Sequence, residues 1–115
     1  MIKSFRDLYV WSASIDLAEQ IVVIADTLCE KRRFALADQM QRSAISVPSN
    51  IAEGYGRLSR KEWRHFLAQA RGSLYELETQ LEIALRIRAI PNAGNERTLI
   101  AKIGAGLTKL IRRAT

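Results

Sequence analysis

A chain of 115 residues, 48% hydrophobic and 26% charged, has room for one domain and is too apolar to stay disordered. Six glycines and two prolines are too few breakers for a loop-rich β fold, and a single cysteine, Cys29, excludes an internal disulfide or a multi-cysteine metal site. The net charge of +6 is unevenly spread: residues 1–30 sum to −3 (two basic, five acidic), 31–71 to +6 (nine, three), 72–96 to −2 (two, four) and 97–115 to +5 (five, none).

Apolar residues spaced by three and four predict four helices. The first spans residues 5–29, with Leu8, Trp11, Ile15, Ala18, Val22, Ala25 and Leu28 on its inner stripe. Residues 1–11 carry Lys3 but no apolar run fit for a signal peptide. The aliphatic run at 21–25 is far short of the roughly 20 residues a membrane span needs. A cytoplasmic protein with no membrane partner is therefore expected, in keeping with its lone thiol. Cys29 itself reads as a small hydrophobe at a helix end.

The second helix spans residues 35–53, with Leu36, Met40, Ala44, Val47 and Ile51 inward. Pro48 lacks an amide donor and crowds the carbonyl four residues back, so it kinks or breaks the helix. After a break, Ser49 or Asn50 would cap a short helix over 51–55. The stripe crosses the proline in phase, which favours a kinked continuous helix. Gly54-Tyr55-Gly56 is expected to end it through a left-handed glycine.

Ser59, followed three residues later by Glu62, has capping-box spacing for the third helix. Its stripe of Trp63, Leu67, Ala70, Leu74, Leu77, Leu81 and Leu85 reaches residue 88. Pro91-Asn92 marks a turn before a fourth helix bearing Leu99, Ile103, Leu107 and Leu110, weakened by Gly104 and Gly106. The predicted fold is all-α: an antiparallel up-down four-helix bundle, kinked at Pro48.

Ile83 and Ile87 lie off the third helix's core stripe, on the side of Gln69, Gly72 and Gln80. The successive apolar residues at 21–24 cannot all face one core either. Helices apolar on more than one side are usually buried on more than one side, which predicts a homo-oligomer. Scattered exposed aliphatics on a monomer are the plainer alternative.

Catalytic groups are sparse. His65 is the only histidine, and with Glu62 it forms one Glu-x-x-His pair, where a di-iron bundle needs two such pairs and two more glutamates. Gly54-Tyr55-Gly56 lacks the third glycine and the preceding strand of a phosphate loop. No enzyme activity, metal or cofactor is expected. The densest basic cluster is Arg57, Arg60, Lys61 and Arg64, with Arg71 two turns on and Tyr55 and Tyr75 beside it. Arginine bridges phosphates bidentately and stacks on bases, so this flank could follow a nucleic-acid backbone. Internal pairing with Glu53, Glu78 or Glu82 is the alternative. Arg112-Arg113 forms a weaker second patch. Ser43, Ser46, Asn50 and Glu53 on the second helix and Ser73 and Glu76 on the third form a polar track suited to fixing packing register, with Glu53 able to reach Arg71 or Arg42.

The segment from Gln39 through Pro48-Ser49-Asn50-Ile51-Ala52-Glu53-Gly54, followed by SRKEWRHFLAQARGSLYELETQL from Ser59, resembles a bacterial family of four-helix-bundle proteins. The family includes intervening-sequence proteins encoded within large-subunit ribosomal RNA genes and the accessory variability determinant of diversity-generating retroelements. Phe5-Arg6-Asp7-Leu8-Tyr9-Val10-Trp11 matches the family start, and Gln41 stands where relatives often carry a second arginine. The resemblance implies a homopentameric barrel without catalytic residues, and for retroelement members a nucleic-acid-binding partner of a reverse transcriptase. The expected partners are thus a second copy of the chain, and RNA or DNA. A protein partner on a bare scaffold is the rival.

Overall fold

In the computed structural model, which describes all 115 residues, order begins with a cap. Ser4 Oγ accepts from the Arg6 amide, and Asp7 Oδ2 accepts from the amides of Lys3 and Ser4. These bonds close a single 3₁₀ turn, Phe5–Asp7, ahead of four helices: α1 Tyr9–Glu30, α2 Phe34–Tyr55, α3 Arg60–Arg86 and α4 Gly94–Arg113. Helices of 20 to 27 residues are about 30–40 Å long. They fit an envelope of 44 × 21 × 21 Å only when laid along its length.

Side-chain pairs between neighbouring helices run in opposite numerical order, as an up-and-down bundle requires. Ser43 and Ser46 of α2 meet Glu76 and Ser73 of α3. Arg71 of α3 reaches Thr108 of α4, whereas Glu82 meets Arg97. One continuous core holds Leu17, Ile21 and Leu28 of α1, Met40, Val47 and Ile51 of α2, Leu67, Leu74, Leu77 and Leu81 of α3, and Ile103 and Leu107 of α4.

The third helix buries the predicted stripe from Leu67 to Leu81, with Trp63 and Leu85 half-buried at its ends. On α1 the buried stripe is rotated from the expected one. It comprises Val10, Ala13, Ser14, Leu17, Ile21, Ala25 and Leu28, while Trp11, Ile15 and Ala18 are half-buried and Val22 is exposed. The unbroken apolar run at 21–25 is compatible with either phase. On α4 the inner residues are Ile100, Ile103, Gly104, Leu107 and Ile111, with Leu99 and Leu110 half-buried. Cys29 is exposed rather than packed. Gln80, expected on an outer face, is buried, and its Oε1 has no hydrogen-bond partner.

α2 runs through Pro48 to Tyr55 without a break, so no separate helix starts at Ser49 or Asn50. Those two side chains instead donate back to the carbonyls of Ile45 and Ser46, at 2.8 and 2.9 Å. Asn50 also reaches Ser46 Oγ, which contacts Ser73 Oγ at 2.8 Å. The polar track therefore assembles across the α2–α3 seam as read from the sequence, apart from Glu53. That carboxylate accepts from Arg57 one turn on, and Arg42 pairs with Asp38.

No glycine adopts a left-handed conformation. Gly54 lies inside α2 and Gly56, its cap, is right-handed. The role of Gly54 is close approach: a Cβ there would stand 2.6 Å from Phe66 Cβ and 3.0 Å from the Trp63 ring. Gly106 plays the same part between α4 and α1, where a Cβ would meet Val10 at 2.6 Å. The left-handed positions are Arg32 and Arg88, with φ of 63° and 60°. Each closes a Schellman turn. Arg33 and Arg32 amides donate to Leu28 and Cys29, and Ala89 and Arg88 amides donate to Ala84 and Leu85. Lys31 Nζ joins the two turns by donating to the Ala89 carbonyl at 2.7 Å.

Two predictions follow from this packing. Gly54→Ala should lower unfolding free energy by about 1–3 kcal/mol in chemical denaturation, because Phe66 Cβ sits on the backbone and cannot swing away. Alanine's better helix propensity, worth about 1 kcal/mol, offsets only part of that. Glu82 binds Arg86 of its own helix and Arg97 of α4. The Arg86 hydrogen bond first, and then the nearby guanidinium charges, hold its carboxyl below the usual glutamate range. A carboxyl depressed by folding stabilises above its unfolded pKa and loses that effect as pH falls through its folded value. The melting temperature of wild type should therefore exceed that of Glu82→Gln at pH 7. The gap should close as the solution is acidified past the ordinary glutamate range.

Candidate nucleic-acid interface

The predicted basic residues cluster where α2 hands over to α3. Close packing at Gly54 brings Tyr55 and Trp63 edge to face, with ring centroids 6.0 Å apart. Arg57, in the turn, is clamped by Glu53 Oε1 at 2.7 Å and lies 5.0 Å from the centroid of the Phe66 ring. It is held in place before any ligand arrives. Ser59 then caps α3 by accepting from the Glu62 amide at 3.1 Å; the reciprocal half of the capping box does not form.

Arg60, Lys61 and Arg64 project from the first turns of α3, all exposed and none in an ion pair. Their position runs against helix electrostatics. The N-terminal end of a helix carries a partial positive charge that favours acidic residues and penalises cations by about 0.3–1 kcal/mol each. Only Glu62 supplies the expected acid in that turn. Arg60 and Lys61 in the first turn and Arg64 in the second, with Glu62 the one acid among them, make the start of α3 a basic surface.

Arg71 stands apart from this group. Half-buried, it turns toward α4 and donates to Thr108 Oγ1 at 3.2 Å. That bond shows what sequence spacing could not: the C-terminal part of α4 lies beside the N-terminal part of α3. Leu110 and Ile2 line one cleft together with Arg60. The terminal cations Lys109, Arg112 and Arg113 therefore belong to the same end of the bundle, and Arg6 sits there too, its guanidinium within 5.5 Å of the Phe5 and Trp11 rings. The signal available in the sequence was the +5 charge of residues 97–115, which needed the helix pairing to be placed.

His65 is exposed and bonds Gln69 at 3.0 Å. No three His, Cys, Asp or Glu side chains stand together as metal ligands. A second cleft between α1 and α4, about 490 Å³, is lined by Asp16, Glu19, Gln20, Asn95, Thr98 and Leu99, and its acidity makes it a poor seat for a polyanion. No helix is long and apolar enough to cross a membrane.

The stretch from Pro48 to Gly54, the most distinctive in the chain, is occupied with packing. Pro48 and Ile51 are buried, Ser49 and Asn50 bond backbone carbonyls, and Gly54 admits Phe66. Such a stretch identifies a fold, and the family described as 23S rRNA-intervening sequence protein matches residues 6–113. The chain belongs to that family. The 23S rRNA-intervening sequence fold is also seen in the crystal structure of a protein of unknown function from the S23 ribosomal protein family of Bacteroides thetaiotaomicron VPI-5482. That protein is 25% identical, with a TM-score of 0.81 over 90% of this chain and 95% of its own. None of the curated proteins matches.

Proposed function

We propose that this intervening-sequence protein is a non-enzymatic homo-oligomer that binds RNA or DNA with little sequence preference through its basic end. The observation that carries the reading is the group Arg60, Lys61 and Arg64, unpaired on the positive end of α3, with Arg57 fixed beside them. Cations that lower helix stability and have no internal partner are best accounted for by an external polyanion.

Phosphate neutralisation makes such binding steeply salt-dependent, by about 0.9 log units of affinity per log unit of salt for each phosphate on duplex DNA. Titrating labelled structured RNA and duplex DNA across a salt series should give slopes of roughly −3 to −5. In the variant with Arg60, Lys61 and Arg64 changed to Ala, the slope should fall by about 2–3. Absence of binding at low salt by an intact oligomer would sink the reading and leave a scaffold for a protein partner.

Self-assembly rests on a different observation. Val22 and Val23 on α1 and Ile83 and Ile87 on α3 are exposed, although each belongs to a helix that already buries a full stripe. Gly72, with nothing within 4 Å of where its Cβ would be, leaves α3 open to a neighbouring helix. A pentamer is the assembly we propose. Ile83→Glu should leave helix content and melting of the isolated subunit nearly unchanged, since the side chain is already exposed. It should shift the mass in sedimentation or light scattering from oligomer to monomer. An unchanged oligomer mass in both Ile83→Glu and Val23→Glu would count against these two helix surfaces as the contact.

A further inference from the structure

The basic end carries more than charge. Between the 3₁₀ turn, the α2–α3 turn and the end of α4 lies a cleft of about 450 Å³. That volume is within the range of small-ligand sites, roughly 300–1,000 Å³. Its walls are largely apolar, with the half-buried rings of Tyr55 and Trp63 on one side and Leu110 on the other, and Arg57 and Arg60 stand in the same lining. Leu58 lines it as well, yet is fully exposed at 102%, and Ile2 is 53% exposed. A lone exposed leucine is ordinary on a protein surface. Two exposed aliphatics at a recess that also holds two aromatic rings and two guanidinium groups describe a ligand with a flat apolar body next to an anionic group.

We propose that this cleft seats a single unpaired nucleobase while Arg57 and Arg60 hold its flanking phosphates. The basic end would then prefer single-stranded or bulged nucleic acid to perfect duplex. The proposal deepens the nucleic-acid reading above and rests on it. A base within a duplex has both faces stacked and cannot enter a recess without being unpaired, whereas an unpaired base offers a free face to aromatic and aliphatic walls. Stacking of this kind tolerates any base, in keeping with binding that lacks sequence preference. An anionic membrane, the other partner that arginines around exposed leucine could serve, would engage the projecting Leu58 and leave the aromatic recess empty.

The test uses the full-length Trp11→Phe protein, in which Trp63 is the one remaining tryptophan of the natural two. Phenylalanine at 11 keeps a ring against Phe5, 5.1 Å away in the wild type. Three probes of equal phosphate count are compared at one salt concentration: oligothymidylate, an abasic oligomer and a duplex. Oligothymidylate should quench Trp63 and bind roughly tenfold tighter than the abasic oligomer, the difference one stacked base supplies. Leu58→Ser, a change at a side chain with no folded-state contact to lose, should shrink that preference while leaving abasic binding as it was. Equal affinity for oligothymidylate and the abasic oligomer without quenching would overturn the base-seat proposal and leave the nucleic-acid reading standing. Binding to none of the three would overturn both. Co-sedimentation with phosphatidylserine vesicles that oligothymidylate does not compete away would overturn the proposal in favour of a membrane surface.

Discussion

The geometry of the basic end depends on one missing methyl group. Because Gly54 has no Cβ, α3 can bring Phe66 against the α2 backbone at a distance no other residue would permit. That contact draws Trp63 onto Tyr55 and places the Phe66 ring under the Arg57 guanidinium. It also leaves only residues 56–59 to span the gap, so that Arg57 and the first turn of α3 emerge together. The spacing of the cations is thus a consequence of helix packing several residues away, and a bulkier residue at 54 would displace both.

Two kinds of specificity are divided along the chain. The polar residues of α2, namely Ser43, Ser46 and Asn50, are spent on aligning it with α3 and on carbonyls around Pro48. Buried or half-buried polar pairs of this kind favour one register over its neighbours, because a slip would leave them unsatisfied. Residues at the start of α3 are spent the other way: exposed, unpaired and set against the helix dipole. The most recognisable part of the sequence therefore maintains the fold, and the part proposed to act is the less distinctive basic run that follows it.

How much could be read without the structure depended on how many phases each pattern allowed. The α3 stripe admits one inward face, and its core residues were legible individually from Leu67 to Leu81. The apolar run at 21–25 admits several, so the α1 face is misplaced in the sequence reading, which puts Trp11, Ile15 and Val22 where the structure buries Val10, Ser14 and Ile21. Glycines misled for a related reason: a Gly-Tyr-Gly triplet looks like a left-handed stop, yet its first member answers to a tertiary contact that spacing cannot reveal. The cluster at Arg57, Arg60, Lys61 and Arg64 was legible because it is local. The diversion of Arg71 to Thr108, and the arrival of Lys109 and Arg112 at the same end, depend on residues 37 or more apart in sequence.

The far end of the bundle has its own implication. Arg32 and Arg88 occupy left-handed positions that cost an L-residue with a side chain about 1–2 kcal/mol and cost glycine almost nothing. Both are exposed, in turns closed by backbone bonds and tied together through Lys31, at the end of the bundle away from the proposed binding residues. The protein thus holds unused thermal headroom at two surface positions. A lineage moving to a hotter environment, or an engineer wanting a sturdier bundle, could draw on it there without disturbing a buried side chain.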